Sequence, residues 1–262
     1  KNAESYIFLQ YYIIKDDVLF QRIREALLEK AAQGVEIRIL YDAMGCRSVG
    51  KHFWKEMEKQ GIHVAVFFPA LFGRLHLRVN YRNHRKIAVI DGKVAYVGGF
   101  NIGKEYIGLD PKFGHWRDTH LRICGSAVGG LLLRYIQDWD YAARENLFEN
   151  PKYFILPEEK AGNVKMQIIS SGPDSELQSI RDNYLRLIHK AKTPYFIPDE
   201  SIQTALLMAT MSGVEVNLMF PCKPDHPFVY WATLSYVGEL IMAGANCYTY
   251  DNGFFTCKRI VH

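Results

Sequence analysis

One block of this sequence is written twice. Gly34-Val35-Glu36-Ile37 returns as Gly213-Val214-Glu215-Val216, an offset of 179 (213 − 34). Gly61-Ile62-His63-Val64 aligns with Gly244-Ala245-Asn246-Cys247, an offset of 183 (244 − 61). Near-constant offsets point to a duplicated plan with small loop differences. In the first copy, residues 5–14 form a β-branched and aromatic run, read as a strand. Residues 18–32 carry Val18, Ile23, Ala26, Leu27 and Ala31 on one side of a predicted helix, which Gly34 stops. Residues 35–41 are the next strand. In the second copy the same reading gives a strand at 194–197, a helix at 202–212, a stop at Gly213 and a strand at 214–220. Strand–helix–strand units predict an α/β fold: two similar halves with mostly parallel sheets flanked by helices. With 262 residues, 48% of them hydrophobic, there is material for a core in each half. The expected division is a first half over 1–150, a linker over 151–163 marked by Pro151 and Pro157, and a second half over 164–262. A one-sided apolar helix at 128–144 is expected to pack on the first half.

The chemistry sits in the first half. His84, Lys86 and Asp91 stand at H-x-K-x4-D spacing, followed by Gly98-Gly99-Phe100-Asn101. Side chains alternate along an extended chain, so His84 and Lys86 share a face. Asp91-Gly92 reads as a hairpin turn and residues 93–97 as the returning strand. The group supplies a nucleophilic imidazole, a cation for phosphate oxygens and an amide donor, and it calls for no metal and no cofactor. Upstream, Arg74, His76, Arg78, Arg82, His84, Arg85 and Lys86 crowd together with no acid among them. That run reads as a positive funnel toward a phosphate, although the net charge of the whole chain is only +4.

This segment resembles the phospholipase D superfamily, and the rest of the chain narrows the likeness to bacterial cardiolipin synthases. The phrases that carry it are Leu9-Gln10-Tyr11-Tyr12-Ile13-Ile14, Asn83-His84-Arg85-Lys86, Val97-Gly98-Gly99-Phe100-Asn101-Ile102-Gly103 and Trp116-Arg117-Asp118-Thr119-His120. Residues 193–200 and Lys223-Pro224-Asp225-His226-Pro227 extend it across nearly the whole chain. The resemblance implies a phosphatidyltransferase that acts on phosphatidylglycerol through a phosphohistidine. It assigns attack to His84, phosphate binding to Lys86 and Asn101, and a supporting place in the motif to Asp91. It implies one site built from two motifs, one from each half, with the second imidazole serving as general acid and base. Its expected partners are a phospholipid and a membrane surface, with no nucleic acid. Its expected location is the cytoplasmic face of a bacterial cell membrane.

The second motif departs from the pattern. Lys258 stands where its lysine belongs, but Thr256 occupies the histidine position and His262 is the last residue. A threonine hydroxyl hardly ionises near neutrality, so low or no turnover is expected of this chain. His262, four residues beyond Lys258, is a weak substitute at an end that frays. The second half is therefore expected to be truncated. Family members carry membrane helices ahead of the strand that opens this chain, so the start at Lys1 is also expected to be partial. No apolar run approaches the ~20 residues of a membrane span. Five dispersed cysteines, Cys46, Cys124, Cys222, Cys247 and Cys257, form no C-x-x-C pair and read as reduced thiols.

Other residues carry plainer readings. Glu200 complements a helix start or lines the cleft, Asp118 and His120 stand as cleft contacts or as core or strand-edge residues, and His115 and Trp116 shape a cleft mouth. His226 fixes a turn, Trp139 packs with Asp138 and Asp140 at a helix end, and Tyr11 and Tyr12 are strand aromatics, read as core ahead of a substrate platform. The apolar stretch 67–72 serves as core or as a contact for lipid tails. Two rival functions remain: a phosphodiesterase or nuclease of the same superfamily, and a catalytically inactive protein that binds phosphate or a membrane.

Overall fold

A computed structural model describes residues 1–68, 82–155, 162–172, 178–187, 191–192, 198–222, 227–255 and 259–260. Its elements run β1 (Tyr6–Tyr11), α1 (Val18–Ala32), β2 (Glu36–Asp42), α2 (Lys51–Lys59), β3 (His63–Phe67), β4 (Ile87–Ile90), β5 (Val94–Gly98), β6 (Trp116–Arg117), β7 (His120–Cys124) and α3 (Ala127–Ala143). They continue as α4 (Ser179–Leu187), β8 (Ala191–Lys192), α5 (Glu200–Met211), β9 (Asn217–Pro221), α6 (Pro227–Met242), β10 (Asn246–Tyr250), β11 (Phe254–Phe255) and β12 (Arg259–Ile260). The order strand–helix–strand–helix–strand of β1 to β3 recurs from β8 to β10, as the repeated block predicts. The chain divides into two compact units, one of residues 1–106 and 120–168, the other of residues 107–119 and 169–262.

The first unit is built on a six-stranded sheet ordered β3-β2-β1-β4-β5-β7. β1, β2 and β3 pair in parallel, while β4, β5 and β7 add by antiparallel ladders, so four of the six strands run one way. β1 lies at the centre and is buried on both faces, which explains why it reads as a continuous apolar run. Its alternation sorts two cores. Tyr6 and Phe8 pack toward α3 with Ile87, Val89, Tyr135 and Trp139. Ile7 and Leu9 face the opposite way, with Ile37, Ile39, Ala88 and the α1 and α2 residues Phe20, Leu27, Trp54 and Met57. The result is a helix–sheet–helix sandwich in which each strand residue is assigned to a face by its parity.

Local signals set the ends. The Asp17 carboxylate caps α1 by accepting from the Leu19 and Phe20 amides at 3.0 and 3.3 Å. Gly34, at φ +84°, ends the turn that follows. The Asp91-Gly92 hairpin forms, with both residues at positive φ, and β5 returns as expected. The strand begins at Ile87, however, so His84 and Lys86 precede the β1–β4 ladder and do not lie within it. Within the stretch expected as linker, residues 151–154 form a short 3-10 turn whose Tyr153 is buried against the first unit.

In the second unit α5, β9 and α6 close around Leu206, Ala209, Leu218, Phe220, Val237 and Leu240. β9 and β10 pair in parallel, the same relation as β2 and β3. β6 pairs with β11 in parallel, and β8 with β12 in antiparallel. The strand expected at 194–197 lies outside the described residues. Among the described residues no helix is long and apolar enough to cross a membrane.

Candidate active site

The parity rule that sorts the cores also divides residues 83–86. Asn83 and Arg85 share the register of Ile87 and Val89, toward α3. His84 and Lys86 share that of Ala88, toward the other face. His84 is exposed, whereas Lys86 is only 3% exposed. The Lys86 ammonium lies 2.8 Å from His84 Nδ1 and donates to the His84 carbonyl oxygen at 2.6 Å. A buried ammonium needs such partners. Tyr12 completes the cluster. Its ring stands 4.7 Å from the imidazole at a 48° tilt, and Lys86 Nζ sits 5.4 Å from the same ring. Tyr12 therefore belongs to the site, where sequence reasoning had placed it in the core. Burial, then the neighbouring Asp42 carboxylate, pushes its phenol pKa up, which keeps the ring neutral.

Tyr12 is held from behind. The Asp42 carboxylate accepts from the Met44 and Gly45 amides at 2.8 and 3.3 Å and from the Asn83 amide at 3.2 Å. Gly45 passes so close to Tyr12 that a Cβ there would stand 2.0 Å from the Tyr12 carbonyl oxygen. Cys46 accepts from the Ile14 amide at 3.1 Å and donates to that same Tyr12 carbonyl at 3.6 Å. Burial drives its thiol pKa up to about 12, so Cys46 is an inert part of the scaffold.

Asn101 is buried next to this cluster. Its Oδ1 accepts from the Ile13 amide at 3.0 Å and its Nδ2 donates to the Tyr106 hydroxyl at 3.0 Å. A primary amide has two N–H bonds, so one remains for a phosphate oxygen. Asp91 stands elsewhere. Its carboxylate accepts from the Glu4, Ser5 and Tyr6 amides at 2.9, 2.8 and 2.8 Å, beyond the far end of β4 from His84. Three residue steps along β4 alone separate them by ~10 Å. The aspartate of the spacing motif thus fastens the start of β1.

Sequence reasoning passed over Asp138. It read this residue as a helix-end partner of Trp139, but the carboxylate is 2% exposed and gathers four donors. Gln10 Nε2 at 2.6 Å, Asn83 Nδ2 at 2.9 Å and Arg85 Nη1 at 3.0 Å all reach Oδ2, and Arg134 pairs with Oδ1. The signal was present in the sequence: an acid seven residues after Leu131 and three after Tyr135 falls inside the apolar stripe of α3.

The remaining expected residues are placed as follows. Asp199 caps α5, accepting from the Ile202 amide at 2.9 Å, and Glu200 stands exposed in the first turn of that helix. Asp118 accepts from the Thr119 amide at 2.7 Å, and His120 stacks on Phe100 at 5.8 Å. Trp139 is buried, with the Arg38 guanidinium over its ring. Phe67 and Phe68 pack against Tyr141. Thr256, Lys258, His262, His226, residues 69–72 and the basic residues Arg74, His76 and Arg78 lie outside the described residues. Among the described residues no group of three or more His, Cys, Asp or Glu side chains is arranged for a metal ion, and four free cysteines are present.

Residues 1–110 match the family model described as cardiolipin synthase, PLD-like domain. The chain is 53% identical, over 99% of its length, to the major cardiolipin synthase ClsA of Bacillus subtilis. By these matches the chain is similar to cardiolipin synthases, with the matching PLD-like domain in residues 1–110. A second relative, the cardiolipin synthase of Oceanobacillus iheyensis, is 49% identical over the whole chain. The chain spans 55% of the length of each of these curated relatives. The solved phosphatidylserine synthase of Haemophilus influenzae matches 99% of this chain and 71% of its own with a TM-score of 0.64 at 14% identity, a likeness of fold.

Proposed function

We propose that the intact protein containing this chain is a phosphatidyltransferase of cardiolipin synthase type, working at a membrane surface on phosphatidylglycerol. The observation that carries the reading is the exposed His84 imidazole with the buried Lys86 ammonium 2.8 Å from its Nδ1. An imidazole whose Nδ1 accepts from an ammonium holds its own proton on Nε2. Attack from Nε2 needs the other tautomer. An arriving phosphodiester supplies the switch: its oxygens draw Lys86 away from Nδ1, and the proton settles there. Nε2 then bonds to phosphorus, the phosphatidyl group moves to His84, and the glycerol alkoxide departs and takes up a proton. Lys86 and one Asn101 N–H stabilise the charge on the phosphoryl oxygens, with Lys258 as a second cation. In the second step the hydroxyl of another lipid attacks phosphorus, loses its proton to a base, and frees His84. Asp91 takes no part in either step.

Thr256 replaces the imidazole expected to move both protons, so both steps are slow and the phosphoenzyme, once formed, is long-lived. The test uses full-length protein and vesicles of phosphatidylglycerol with labelled phosphate. An acid-labile, alkali-stable label is expected on the wild type and absent from His84→Gln. Thr256→His is expected to increase cardiolipin formation. A wild type that turns over without labelled His84, or that cleaves DNA and leaves the vesicles intact, overturns the reading. An inactive phosphate-binding protein, the alternative that Thr256 favours, would bind the vesicles and take up no label from them.

A further inference from the structure

We propose that Asp138 is a positioning residue for His84, a role that rests on His84 being the attacking group. The segment 82–86 has no ladder of its own, because pairing of β4 with β1 begins at Ile87. Its path is set by side-chain anchors. The two residues that flank His84 in sequence, Asn83 and Arg85, both bond to one oxygen of Asp138, at 2.9 and 3.0 Å. Parity makes this possible: turning Asn83 and Arg85 toward α3 obliges the imidazole between them to point the other way, toward Lys86 and Tyr12. Gln10 joins the same oxygen at 2.6 Å and ties the hub to β1, two residues before Tyr12. One buried carboxylate thereby fixes the segment that carries the imidazole and the strand that leads into Tyr12.

Charge explains why an acid is required. Asp138 is buried, and Arg85 and Arg134 both pair with it. An ionised carboxylate accepts at both oxygens and donates at neither. Asparagine has the same shape but turns an N–H toward donors, so it leaves at least one of them without an acceptor and the arginines without a counter-charge. The substitution changes the hub while conserving its volume, which separates orientation from packing.

Two readouts test the proposal. In protein labelled with 15N-histidine, the ring signals of His84, one of nine histidines and assigned through His84→Gln, are expected to show one tautomer in the wild type and a mixture in Asp138→Asn. In the full-length protein, the rate at which His84 takes up label from phosphatidylglycerol vesicles is expected to fall roughly 10–100-fold, the range a misplacement near 1 Å produces, with the half-saturating lipid concentration changed far less. If Asp138→Asn does not fold, Asn83→Ala serves instead, since it leaves both arginines paired, and a smaller change of the same kind is expected. A folded variant with wild-type ring signals overturns the proposal, as does a loss of activity that merely tracks the folded fraction. Full activity in His84→Gln would defeat the functional reading alone, because the ring signals still report whether Asp138 holds the imidazole.

Discussion

At the residue scale, two aspartates show how differently a carboxylate can be used. Asp91 belongs to the motif, yet its carboxylate is spent on three backbone amides at the start of β1. It also sits at φ +54°, where Asp and Asn are tolerated and Ala is not. Asp91→Ala is expected to lower unfolding stability by about 2–3 kcal/mol, with Asp91→Asn losing less, as urea denaturation will show. Were the residue catalytic, activity would fall with stability unchanged. The spacing rule could locate His84 and Lys86 because they are neighbours on one pleat. It could not locate Asp138, three of whose four partners, Gln10, Asn83 and Arg85, lie more than fifty residues away. Tyr12 was misread for a similar reason: an aromatic strand residue has the same composition whether it meets a core or an imidazole.

At the element scale, the most legible features were those with local causes. The limits of α1 follow from Asp17 and Gly34, and the Asp-Gly hairpin follows from its turn residues. Where a feature depends on a partner strand, the sequence says less. Alternation from His84 to Ile90 is continuous, but the strand starts only where β1 is available to pair. The loop after β2 shows how tightly the site is backed. Gly45→Ala would thrust a methyl group into the Tyr12 carbonyl, and both sides of that contact are backbone. It is expected to cost about 1–3 kcal/mol and to reduce the cross-relaxation between the Tyr12 and His84 rings that two-dimensional NMR detects.

At the scale of the whole molecule, the repeated block raised the expectation of two halves of one plan. It was not enough to show that residues 107–119 group with the second unit, a long-range pairing of β6 with β11 that no local pattern encodes. The first unit is also fastened across its sequence by Glu36. That carboxylate accepts from Arg38, Lys152 and Tyr153 at 2.5, 2.6 and 2.8 Å. Burial acts to raise its pKa, but the hydrogen bonds from Lys152, Arg38 and Tyr153 outweigh it and hold the carboxyl below its ordinary 4.5. A depressed folded pKa means stability present above 4.5 and lost as the pH falls through the folded value. Thermal melts are therefore expected to show a midpoint that drops on acidification below about 4.5, with a shallower slope in Glu36→Gln.

The thiol of Cys46 has a use of its own. Sealed beneath Tyr12 and held protonated, it cannot meet an alkylating reagent while the backbone around Tyr12 stays closed. Mass spectrometry of its modification over time thus clocks how often the backbone beneath Tyr12 opens, and a substrate that holds Tyr12 in place should slow that clock.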